Sequence, residues 1–542
     1  MKISKILIHN YKMFKDTVIQ INDGFNIFVG DNDSGKSTLL EIIQIIIGGK
    51  LNNYPFERQI KASCFNSQAR LNFIDMLEDP SFIIEELPCI TLEAYFFDDG
   101  KCSEYKGTNN ELGEDCPGIH MSLKFNPDYA KAFKLMLAAE EIRDIPIEFY
   151  VVKWRDFGGN PIVFRTFPAK VSIIDTTQKD YSGSLNKFIN SSVASNLSNE
   201  EKVHLARAYR KMKSEFNSNE NVKHLNERIT DEVRLDDKKI KFGMKEEVLD
   251  AWMNEVSIDV EGIPFEDIGF GSQNLIKMEL VFNEQTLKSS IILFEEPENN
   301  LSFGNMSRLI SKICQGESKQ VFISTHSSFV ANKLGLKNII LLHDGNAKQL
   351  KEVDQETMNF FMKLPGYNTV RLLLAKKVIL VEGPTDELII QRAYLDTYGK
   401  LPIDDGLDII TVDSLAFKRY CDLALLVNKP INIVTDNDGN IQKNINEKYK
   451  DYIKQYGDLI KIFYENDETL NTIEPSVLEV NSRDDDVLEK FRRVISKSKS
   501  MLGKNQDELS SFMTKNKVEW GLRVFDSVES IEYPEYIKNA IK

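Results

Sequence analysis

The chain has 542 residues, of which 42% are hydrophobic and 28% are charged. This length exceeds what a single hydrophobic core usually serves, so we expect two or three domains. The longest apolar runs, such as residues 42–47 and 291–294, are too short to cross a bilayer, and the start of the chain lacks the apolar segment of a signal peptide. We therefore expect a soluble cytoplasmic protein with no membrane partner.

The six cysteines are scattered and form no Cys-x-x-Cys pair, which indicates neither a zinc knuckle nor a disulfide framework. The net charge of −15 argues against a polyanionic partner, because long-range repulsion opposes nucleic-acid binding. That argument is weak, since metal-binding carboxylates count as bare charges and a local basic track can override the mean. Residues 488–523 are such a basic segment, and a solvated helix face explains them equally well.

The first motif is the sequence Gly-Asp-Asn-Asp-Ser-Gly-Lys-Ser at residues 30–37, between an apolar strand at 25–29 and an apolar helix at 38–47. This context is typical of a phosphate-binding loop, in which backbone N–H groups and a helix N-terminus hold the phosphates of ATP. We expect Lys36 to reach the β- and γ-phosphates and Ser37 to ligate Mg²⁺. The other predicted nucleotide-binding residues of the loop are Asn32, Gly35 and Thr38.

The following 230 or so residues are of mixed character. Residues 90–97, 147–154 and 171–174 are rich in apolar and β-branched side chains, which predicts strands. Residues 190–248 are mostly polar with a helical spacing of apolar positions, which predicts a helical insertion. This insertion either takes part in dimerisation or is a simple solvated arm.

Three further motifs follow along the chain. A glycine-rich turn at residues 268–274 contains Ser272 and Gln273 and opens an apolar helix. The apolar strand at 291–294 ends in Glu295 and Glu296, which we expect to hold the magnesium through its water shell and to polarise the attacking water, respectively. A strand at 321–325 precedes His326, a candidate sensor of the γ-phosphate.

In this order, the motifs resemble the ATPase heads of the ABC class, including those of DNA-repair and chromosome-maintenance proteins. The resemblance implies a dimer in which the glycine-rich turn of one subunit closes on the nucleotide held by the other. Residues 6–14 also resemble the first strand and turn of those ATPases, which places Lys12 near the phosphates. We assign residues 1–365 to this ATPase domain.

From residue 366 to 542 the sequence changes character. Predicted strands at 377–381, 407–412, 431–435 and 459–463 alternate with predicted helices at 386–398 and 415–426. This alternation indicates a compact parallel α/β domain whose functional groups cluster at the carboxyl ends of the strands, followed by a helical C-terminal region.

Carboxylates stand at two of those strand ends. Glu382 follows the first strand, Asp436 and Asp438 follow the third, and Asp386 comes four residues after Glu382. Like charges only a few ångströms apart repel one another unless cations lie between them. Oxygen ligands favour Mg²⁺ or Mn²⁺, and two such ions can activate a water and stabilise the leaving oxygen of a phosphodiester.

This set resembles the Toprim domain of topoisomerases, primases and certain nucleases. Behind an ABC-class ATPase with Glu-Glu-Pro-Glu and Ser-Thr-His-Ser, it resembles the OLD (overcoming lysogenization defect) family of ATP-dependent endonucleases over nearly the whole chain. The resemblance implies cutting or nicking of DNA with two metals, dimers or tetramers built through the ATPase domain, and defence against phage. Relatives act alone, with a UvrD-like helicase, or beside a reverse transcriptase.

The family also carries a lysine late in the Toprim domain, which would stabilise the transition-state phosphate by charge. Lys517 is the nearest match here and Lys515 the next. Asp386 departs from the glutamate of many relatives, and its shorter arm could shift the second metal. Glu474 is either a further acidic ligand or a carboxylate that starts a helix.

Two other functions stay open at this point. An ATP-driven sensor would bind DNA or a partner through the Toprim domain without cutting, and a missing carboxylate would favour it. A topoisomerase needs a tyrosine nucleophile, which 18 tyrosines leave open, whereas the absent cysteine pairs weigh against a primase.

Overall fold

The computed structural model describes most of the chain. The described residues are 1–52, 54–77, 84–98, 100, 102–139, 142–175, 197–232, 242–244, 259–265, 267–282, 290–299, 302–315, 319–343, 345–350, 354–412, 416–496, 501 and 503–542. Among the helices of these residues, none is long and apolar enough to cross a membrane.

The strands, in chain order, are β1 (Ile3–Tyr11), β2 (Phe14–Gln20), β3 (Phe25–Gly30), β4 (Lys50–Leu51), β5 (Tyr54–Pro55), β6 (Ile90–Phe96), β7 (Lys106–Gly107), β8 (Cys116–Phe125), β9 (Tyr150–Asp156), β10 (Val171–Asp175), β11 (Asp259–Val260), β12 (Ile263–Pro264), β13 (Ile291–Glu295), β14 (Gln320–Ser324), β15 (Ile339–His343), β16 (Asn346–Gln349), β17 (Lys377–Val381), β18 (Leu407–Thr411), β19 (Ile431–Val434) and β20 (Ile460–Phe463).

The α-helices are α1 (Lys36–Gly48), α2 (Ser67–Leu77), α3 (Ala130–Ala138), α4 (Asn199–Ser218), α5 (Glu220–Glu232), α6 (Phe270–Phe282), α7 (Phe303–Gln315), α8 (Ser328–Leu334), α9 (Gln355–Lys363), α10 (Thr369–Leu374), α11 (Pro384–Tyr398), α12 (Phe417–Leu426), α13 (Lys450–Tyr456), α14 (Ile473–Val480), α15 (Asp485–Ile495), α16 (Gln506–Lys515), α17 (Lys517–Asp526) and α18 (Glu535–Ala540).

The chain divides into two compact units. The first comprises Met1–His9, Ile21–Phe25 and Ser37–Ser324, and the second comprises Asn10–Gln20, Asn26–Lys36 and Thr325–Lys542. The phosphate-binding loop therefore shares a unit with the C-terminal part of the chain. The predicted domain boundary at residues 365 and 366 stays a prediction.

The first unit contains an antiparallel sheet in which β6 pairs with β1 and β8, and β8 also pairs with β9. It also contains the parallel strands β10, β13 and β14, in register from Val171 with Ile291 and from Ile291 with Gln320. The apolar residues 291–294 are buried on both faces of the pleat. Such continuous burial is expected of a strand inside a parallel sheet.

A buried carboxylate anchors the antiparallel sheet. Glu93 is fully buried, and its two oxygens accept hydrogen bonds from the Tyr95 hydroxyl at 2.6 Å and from the Glu111 backbone N–H at 3.0 and 3.2 Å. The ring Nδ1 of His120, directly across the strand pair, lies 2.7 Å from Oε1 of Glu93. These polar contacts account for the burial of the Glu93 charge, so the group is structural.

The second unit holds β3 paired in parallel with β15, and β15 paired with β16. Its C-terminal part is a four-stranded parallel sheet in the order β18–β17–β19–β20. A hydrophobic core under this sheet joins α11, α14, α15, α16 and α17 through side chains such as Ile390, Phe491 and Trp520. The predicted compact parallel α/β domain is thereby observed.

Most sequence-based elements agree with the structure where it is described, and one differs. The predicted strand at 147–154 begins only at Tyr150, because Ile147–Phe149 forms a 3₁₀ turn after Pro146. The insertion predicted at 190–248 contains α4 and α5, and α4 starts at a capping box between Ser198 and Glu201. The remainder of that prediction, residues 190–196, 233–241 and 245–248, lies outside the described residues, as does the first predicted residue of the helix at 415–426.

Candidate active site

The carboxylate site begins where two neighbouring parallel strands end. β17 and β19 are in register, with Leu380 opposite Ile433, so the residues that follow them emerge at the same edge of the sheet. Oε1 of Glu382 accepts hydrogen bonds from the Thr435 hydroxyl at 2.6 Å and from the Asp436 backbone N–H at 3.2 Å. The two predicted strand-end carboxylates are therefore adjacent.

The loop after β19 is held by a buried amide. Asn437 is 1% exposed, and its side chain donates to the carbonyl oxygens of Glu465 at 2.8 Å and Asp467 at 3.0 Å. Its own side-chain oxygen accepts from the Gly439 N–H at 2.8 Å. Asp438, in a left-handed conformation with φ of 50°, is exposed beside this anchor. The anchored amide therefore fixes both aspartates of the Asp-Asn-Asp sequence.

Asp386 joins the cluster from the first turn of α11. Its carboxylate accepts a hydrogen bond from the Gly383 N–H at 3.0 Å, as expected of an acidic residue at a helix start. Burial, followed by the charge of Glu382, raises the pKa of Asp386 to about 7. The predicted neighbourhood of Asp386 and Glu382 is observed.

Asp436 carries a more strongly raised pKa than Asp386. Burial raises the pKa of Asp436 to about 9, and the charges of Asp386, Glu382, Glu474 and Asp438 add to that effect. Five carboxyl groups thus act on one another at one end of the sheet. Such repulsion is typical of a site that a cation completes.

Glu474 is the member that the sequence left undecided. It lies in the first turn of α14, is 0% exposed, and accepts a hydrogen bond on Oε2 from the Thr472 hydroxyl at 2.8 Å. Its Oε1 is buried and has no hydrogen-bond partner among the described residues, and the ammonium nitrogen of Lys517 lies 3.7 Å away. The residue starts a helix, and its charge also acts on Asp386 and Asp436, so its role as a metal ligand stays a prediction.

Lys517 is brought to the site by close packing of α17 against α11. Gly521 permits this approach, because a Cβ there would lie 3.3 Å from Thr385 Cγ2 and 3.4 Å from Leu388 Cδ1. At the other end, the Arg392 guanidinium on α11 donates to the Val524 and Phe525 carbonyls at 3.0 and 2.9 Å. The side chain of Lys517 itself is 54% exposed.

Sequence reasoning missed Tyr536, on the last helix. Burial and the charges of Asp436 and Asp386 raise the pKa of the Tyr536 hydroxyl well above 10, and the hydroxyl also hydrogen-bonds with Ser476. No motif marks this tyrosine, because it lies about a hundred residues beyond the aspartates it faces. Only the packing of α18 against β19 and β20 brings it there.

The donor set fits divalent cations. All five acidic residues offer oxygen, which Mg²⁺ and Mn²⁺ prefer, and Oε1 of Glu474 is a buried acceptor that receives no hydrogen bond from the described residues. Bound cations would remove the repulsion that raises the pKa values of Asp386 and Asp436. The residues that would hold them are Glu382, Asp386, Asp436, Asp438 and Glu474.

The phosphate-binding loop has the backbone that its glycines predict. Gly35 has a φ of +97°, and a Cβ there would lie 2.5 Å from Met13 Sδ and 2.6 Å from the Phe14 ring. The Lys36 ammonium donates to the carbonyls of Gly30 at 3.0 Å and Asp31 at 2.8 Å. An ammonium held over the loop is in the position expected for one that contacts phosphates.

The remaining residues of the loop differ in exposure, and their contacts with the nucleotide stay predictions. Asn32 and Ser37 are exposed, and Thr38 is half-buried in the first turn of α1. Lys12 lies in the turn between β1 and β2 with a φ of 50°, next to the Met13 that packs on Gly35. The turn thus lies against the loop, as the expected position of Lys12 requires.

The acidic pair stands at the end of β13. Glu295 is the last residue of the strand, and Glu296 follows in a left-handed conformation with φ of 44°. The Asn299 side chain donates to Glu296 Oε2 at 2.7 Å, and the Glu296 N–H donates to the Ser324 carbonyl at 2.9 Å. A non-glycine residue held at positive φ by such bonds is typical of a functional site.

The other two nucleotide motifs differ in exposure. Gln273 is buried in the first turn of α6 and donates to the Ile268 carbonyl at 3.0 Å, whereas Ser272 is exposed. Ser272 is therefore the more accessible of the two. His326 follows β14 and is half-buried, immediately before the Ser327 that caps α8.

The basic segment at 488–523 is largely a set of solvated helix faces. Arg493, Lys504 and Arg523 each pair with a glutamate four residues away. Lys497 and Lys499 lie outside the described residues. A solvated face is therefore the better interpretation for those three residues, and Lys517 is the exception because its partner is Glu474.

Comparisons with known proteins match two parts of the chain to two different domains. Residues 1–247 and 159–331 match the family model of an AAA ATPase domain. Residues 373–438 match the model of the TOPRIM domain of overcoming lysogenization defect protein-like proteins. These findings confirm the predicted fold class, an α/β ABC-class ATPase head followed by a Toprim domain.

Individual relatives are distant. The chain is 40% identical over 50 residues to the DNA replication and repair protein RecF of Glaesserella parasuis serovar 5 (strain SH0165), a match that spans 9% of this chain and only 14% of that protein. The SMC head domain from Thermotoga maritima aligns with 15% identity and a TM-score of 0.30, covering 64% of this chain and 97% of that one. An Smc head domain bound to the C-terminal domain of ScpA, derived from Pyrococcus furiosus, aligns with 14% identity and a TM-score of 0.34, covering 67% and 99%.

Proposed function

We propose a function from one premise: the chain belongs to the OLD (overcoming lysogenization defect) family of proteins, which join an ATPase domain to a Toprim domain. These domains imply a nucleotide and a divalent metal ion as ligands. The chain is then an ATP-regulated, divalent-metal-dependent DNA endonuclease. Its ATPase half uses ATP with Mg²⁺, and its Toprim half uses Mg²⁺ or Mn²⁺.

The observation that carries this proposal is the cluster at one edge of the Toprim sheet, where the charge of Glu474 acts on both Asp386 and Asp436, while Glu474 Oε1 is buried and accepts no hydrogen bond from the described residues. A solvated acidic loop would leave its oxygens hydrated. An oxygen on a side chain that is 1% exposed is costly to bury without hydrogen bonds unless positive charge lies close to it, and the half-exposed Lys517 ammonium 3.7 Å away offsets the charge of this one carboxylate only. Metal ions bound there would activate a water and stabilise the leaving oxygen of a phosphodiester.

Lys517 supplies positive charge at the rim of this cluster. Its ammonium is 3.7 Å from Glu474 and its side chain is half-exposed, so an arriving phosphate can reach it from solvent. Negative charge accumulates on the non-bridging oxygens as a phosphodiester is cleaved. Lys517 therefore stabilises that charge, while Lys515, which is exposed at the end of α16, serves at most as a backbone contact.

The ATPase half regulates cleavage. Lys36 binds the phosphates, and Ser37 ligates the magnesium directly. Glu295 holds the magnesium through its water shell, and Glu296 orients the attacking water. His326 senses the γ-phosphate. The nucleotide also contacts the other loop residues, Asn32, Gly35 and Thr38, and the neighbouring Lys12. The nucleotide of a second subunit contacts the glycine-rich turn at Ser272 and Gln273.

DNA is the substrate, and the protein works as a homodimer or tetramer formed through its ATPase domains. Defence against phage is its role in the cell, alone or with a UvrD-like helicase or a reverse transcriptase. These points rest on the family resemblance. Size-exclusion chromatography with light scattering, with and without ATP, measures the oligomer, and a monomer under both conditions contradicts this part.

The test is cleavage of supercoiled plasmid by the full chain in the presence of Mg²⁺ or Mn²⁺, with and without ATP. Nicked or linear products should appear with metal and be absent with EDTA. Asp436→Asn should abolish them, whereas Asp451→Asn, a change of an exposed aspartate on α13, should not. Equal cleavage by wild type and Asp436→Asn would contradict the assignment.

The alternative function is a topoisomerase, which needs a tyrosine nucleophile. One observation is relevant to it, because Tyr536 faces the carboxylates. That hydroxyl is hydrogen-bonded with Ser476, and its surroundings oppose the phenolate that a nucleophile requires. The nuclease is therefore preferred. Covalently closed relaxed circles in the plasmid assay, in place of nicked circles, would support the topoisomerase, and DNA binding without any change of the plasmid would support an ATP-driven sensor.

A further inference from the structure

A cavity lies at the end of the Toprim sheet opposite to the carboxylate cluster. It has a volume of about 590 Å³ and opens where strands β17, β18, β19 and β20 begin. Lys377, the first residue of β17, lines it, whereas Glu382 follows the last residue of the same strand. At roughly 3.3 Å per residue, the five steps from Lys377 to Glu382 separate the two sites by about 16 Å. The cavity is thus distinct from the carboxylate cluster.

The lining is strongly basic in a chain whose net charge is −15. Lys377, Lys400, Lys461 and Lys542 line the cavity, and Asp405 is the acidic residue among the lining side chains. Asp405 is already engaged, because it accepts hydrogen bonds from Lys400 at 2.6 Å and from the Tyr394 hydroxyl at 2.5 Å. The cavity therefore keeps a surplus of positive charge.

Two of these lysines form no direct ion pair with the described acidic residues, although the charge of Lys377 helps to lower the pKa of Asp405. Lys461 on β20 pairs with Asn432 on β19, which in turn pairs with Ile379 on β17, so all three side chains lie on one face of the sheet. Alternate residues of a strand share a face, and Lys377 comes two residues before Ile379. Lys377 and Lys461 therefore project from the same face. Both ammonium groups are exposed, and neither forms an ion pair with a carboxylate of the described residues. Converging unpaired cations are typical of an anion-binding site.

An aromatic surface completes the cavity. The rings of Tyr394 and Tyr398 pack with centroids 4.5 Å apart, and Tyr398 is 43% exposed. Tyr394 is fixed through its hydroxyl to Asp405. The supported, exposed ring of Tyr398 can accept a planar base by stacking, as aromatic side chains do in nucleic-acid sites.

We propose that this cavity binds a nucleoside phosphate, with its phosphate between Lys377 and Lys461 and its base on Tyr398. The volume lies within the range of about 300–1,000 Å³ that suits such a ligand. The same chemistry is offered by a free nucleotide and by the phosphorylated end of a DNA strand. The proposal does not depend on the nuclease function, because it concerns binding without metal.

The experiment measures binding by calorimetry to the full chain carrying Lys36→Ala, in EDTA, so that neither the phosphate-binding loop nor the carboxylate cluster retains the probe. The probes are dTMP, thymidine, inorganic phosphate, and a short oligothymidylate with and without a 5′-phosphate. The test variant adds Lys377→Gln and Lys461→Gln. The matched control adds Lys450→Gln and Lys454→Gln, which remove the same charge from exposed positions on α13.

In the Lys36→Ala parent, dTMP or the 5′-phosphorylated oligonucleotide should bind, and thymidine should not. The Lys377→Gln and Lys461→Gln pair should weaken that binding about tenfold or more and reduce its salt slope by about one per lost phosphate contact. The control pair should leave it unchanged, and Tyr398→Ala should weaken dTMP more than inorganic phosphate.

The two sources give different patterns. Binding of dTMP identifies a free nucleotide, and binding of the phosphorylated oligonucleotide alone identifies a strand end. Equal binding by the parent and by the Lys377→Gln and Lys461→Gln variant, or no binding of either phosphorylated probe to the parent, would overturn the proposal. Circular dichroism of each variant, together with Lys461→Gln alone, separates loss of the site from loss of the fold.

Discussion

The ammonium nitrogen of Lys517 lies 3.7 Å from Oε1 of Glu474, a buried carboxylate oxygen that accepts no hydrogen bond within the part of the chain that the structure describes. The two side chains differ in exposure, at 54% for Lys517 and 1% for Glu474. The lysine therefore connects the interior of the carboxylate cluster with the solvent from which DNA arrives. This relationship makes Lys517 and Glu474 the most informative pair of residues to change.

Lys517→Ala should lower the single-turnover rate of cleavage by about 10²- to 10³-fold and weaken DNA binding far less. The reason is that a charge near the scissile phosphate acts mainly in the transition state. Rate at saturating DNA and affinity are measured at two salt concentrations. Lys515→Ala is the control, and we expect it to leave the saturated rate unaltered.

A lysine that only contacts the DNA backbone behaves differently, because its loss weakens binding and lowers the salt slope by about one. If Lys517→Ala keeps the saturated rate, its catalytic assignment fails and Lys515 becomes the candidate.

Glu474→Gln should reduce cleavage by about 10²-fold or more and should shrink the rise in Tm that Mn²⁺ produces. Glutamine keeps the shape of the side chain but replaces an anionic ligand by a neutral one, so a bound cation loses affinity. Glu479→Gln, an exposed change on the same helix, is the matched control. An undiminished Mn²⁺ effect in Glu474→Gln would exclude this residue as a ligand.

The strand-end carboxylates were predictable because their positions follow from local sequence. Glu382 and Asp436 each come directly after an apolar run, and parallel strands must end at one edge, so no tertiary information was needed to bring them together. The phosphate-binding loop was predictable for the same reason, since Lys36 directly follows the glycines that shape it.

The rest of the site depends on packing between distant helices. The burial of Glu474 follows from the core around α14 and α17, and Tyr536 reaches the aspartates only because α18 packs on β19 and β20. A carboxylate beside a proline at a helix start has the same local pattern whether it is solvated or buried. The sequence therefore left Glu474 open and contained no signal for Tyr536.

The stabilising effect of metal should grow as the pH rises from about 6 to about 8.5. The pKa values of Asp386 and Asp436 are raised from 3.8 to about 7 and about 9, so the folded metal-free protein retains protons that the unfolded chain releases. Their contribution to folding stability is fully present below about pH 4 and is lost as the pH rises through about 7 and 9. Protons compete with cations for these oxygens, so metal binds better at higher pH.

The measurement is Tm with Mn²⁺ and with EDTA across this pH range. Asp436→Asn should flatten the dependence, whereas Asp451→Asn should preserve it. A metal effect that is constant with pH would show that these carboxyl groups do not hold the ion.

Gly521→Val should destabilise the protein by about 1–3 kcal/mol and lower cleavage as well. Any Cβ at this position lies only 3.3 Å from Thr385 and 3.4 Å from Leu388, so the larger side chain forces α17 away from α11. Lys517 lies one turn away on α17 and would move with it. Gly304→Val, at a helical glycine with open space around it, is the control. Unchanged cleavage in Gly521→Val would mean that the position of Lys517 is unimportant.

Asn299→Ala should slow ATP hydrolysis without weakening ATP binding. The Asn299 amide donates to Glu296 Oε2 at 2.7 Å, and Glu296 has a φ of 44°, so the amide fixes a carboxylate on a strained backbone. A mobile Glu296 orients the attacking water poorly, and we expect a fall in kcat of about 10- to 100-fold with little change in the Kd for ATP. Glu296→Gln should lower kcat further, whereas Lys36→Ala should abolish binding itself.

A second variant, Asn299→Asp, tests the same role of the Asn299 amide. An aspartate at this position cannot donate the hydrogen bond and its charge repels Glu296, so this variant should slow hydrolysis at least as much as Asn299→Ala does. Steady-state ATPase rates, together with the Kd for ATP, separate a positioning role from a binding role. If both Asn299 variants hydrolyse ATP at the wild-type rate, the amide has no positioning role and the water is oriented by Glu296 alone.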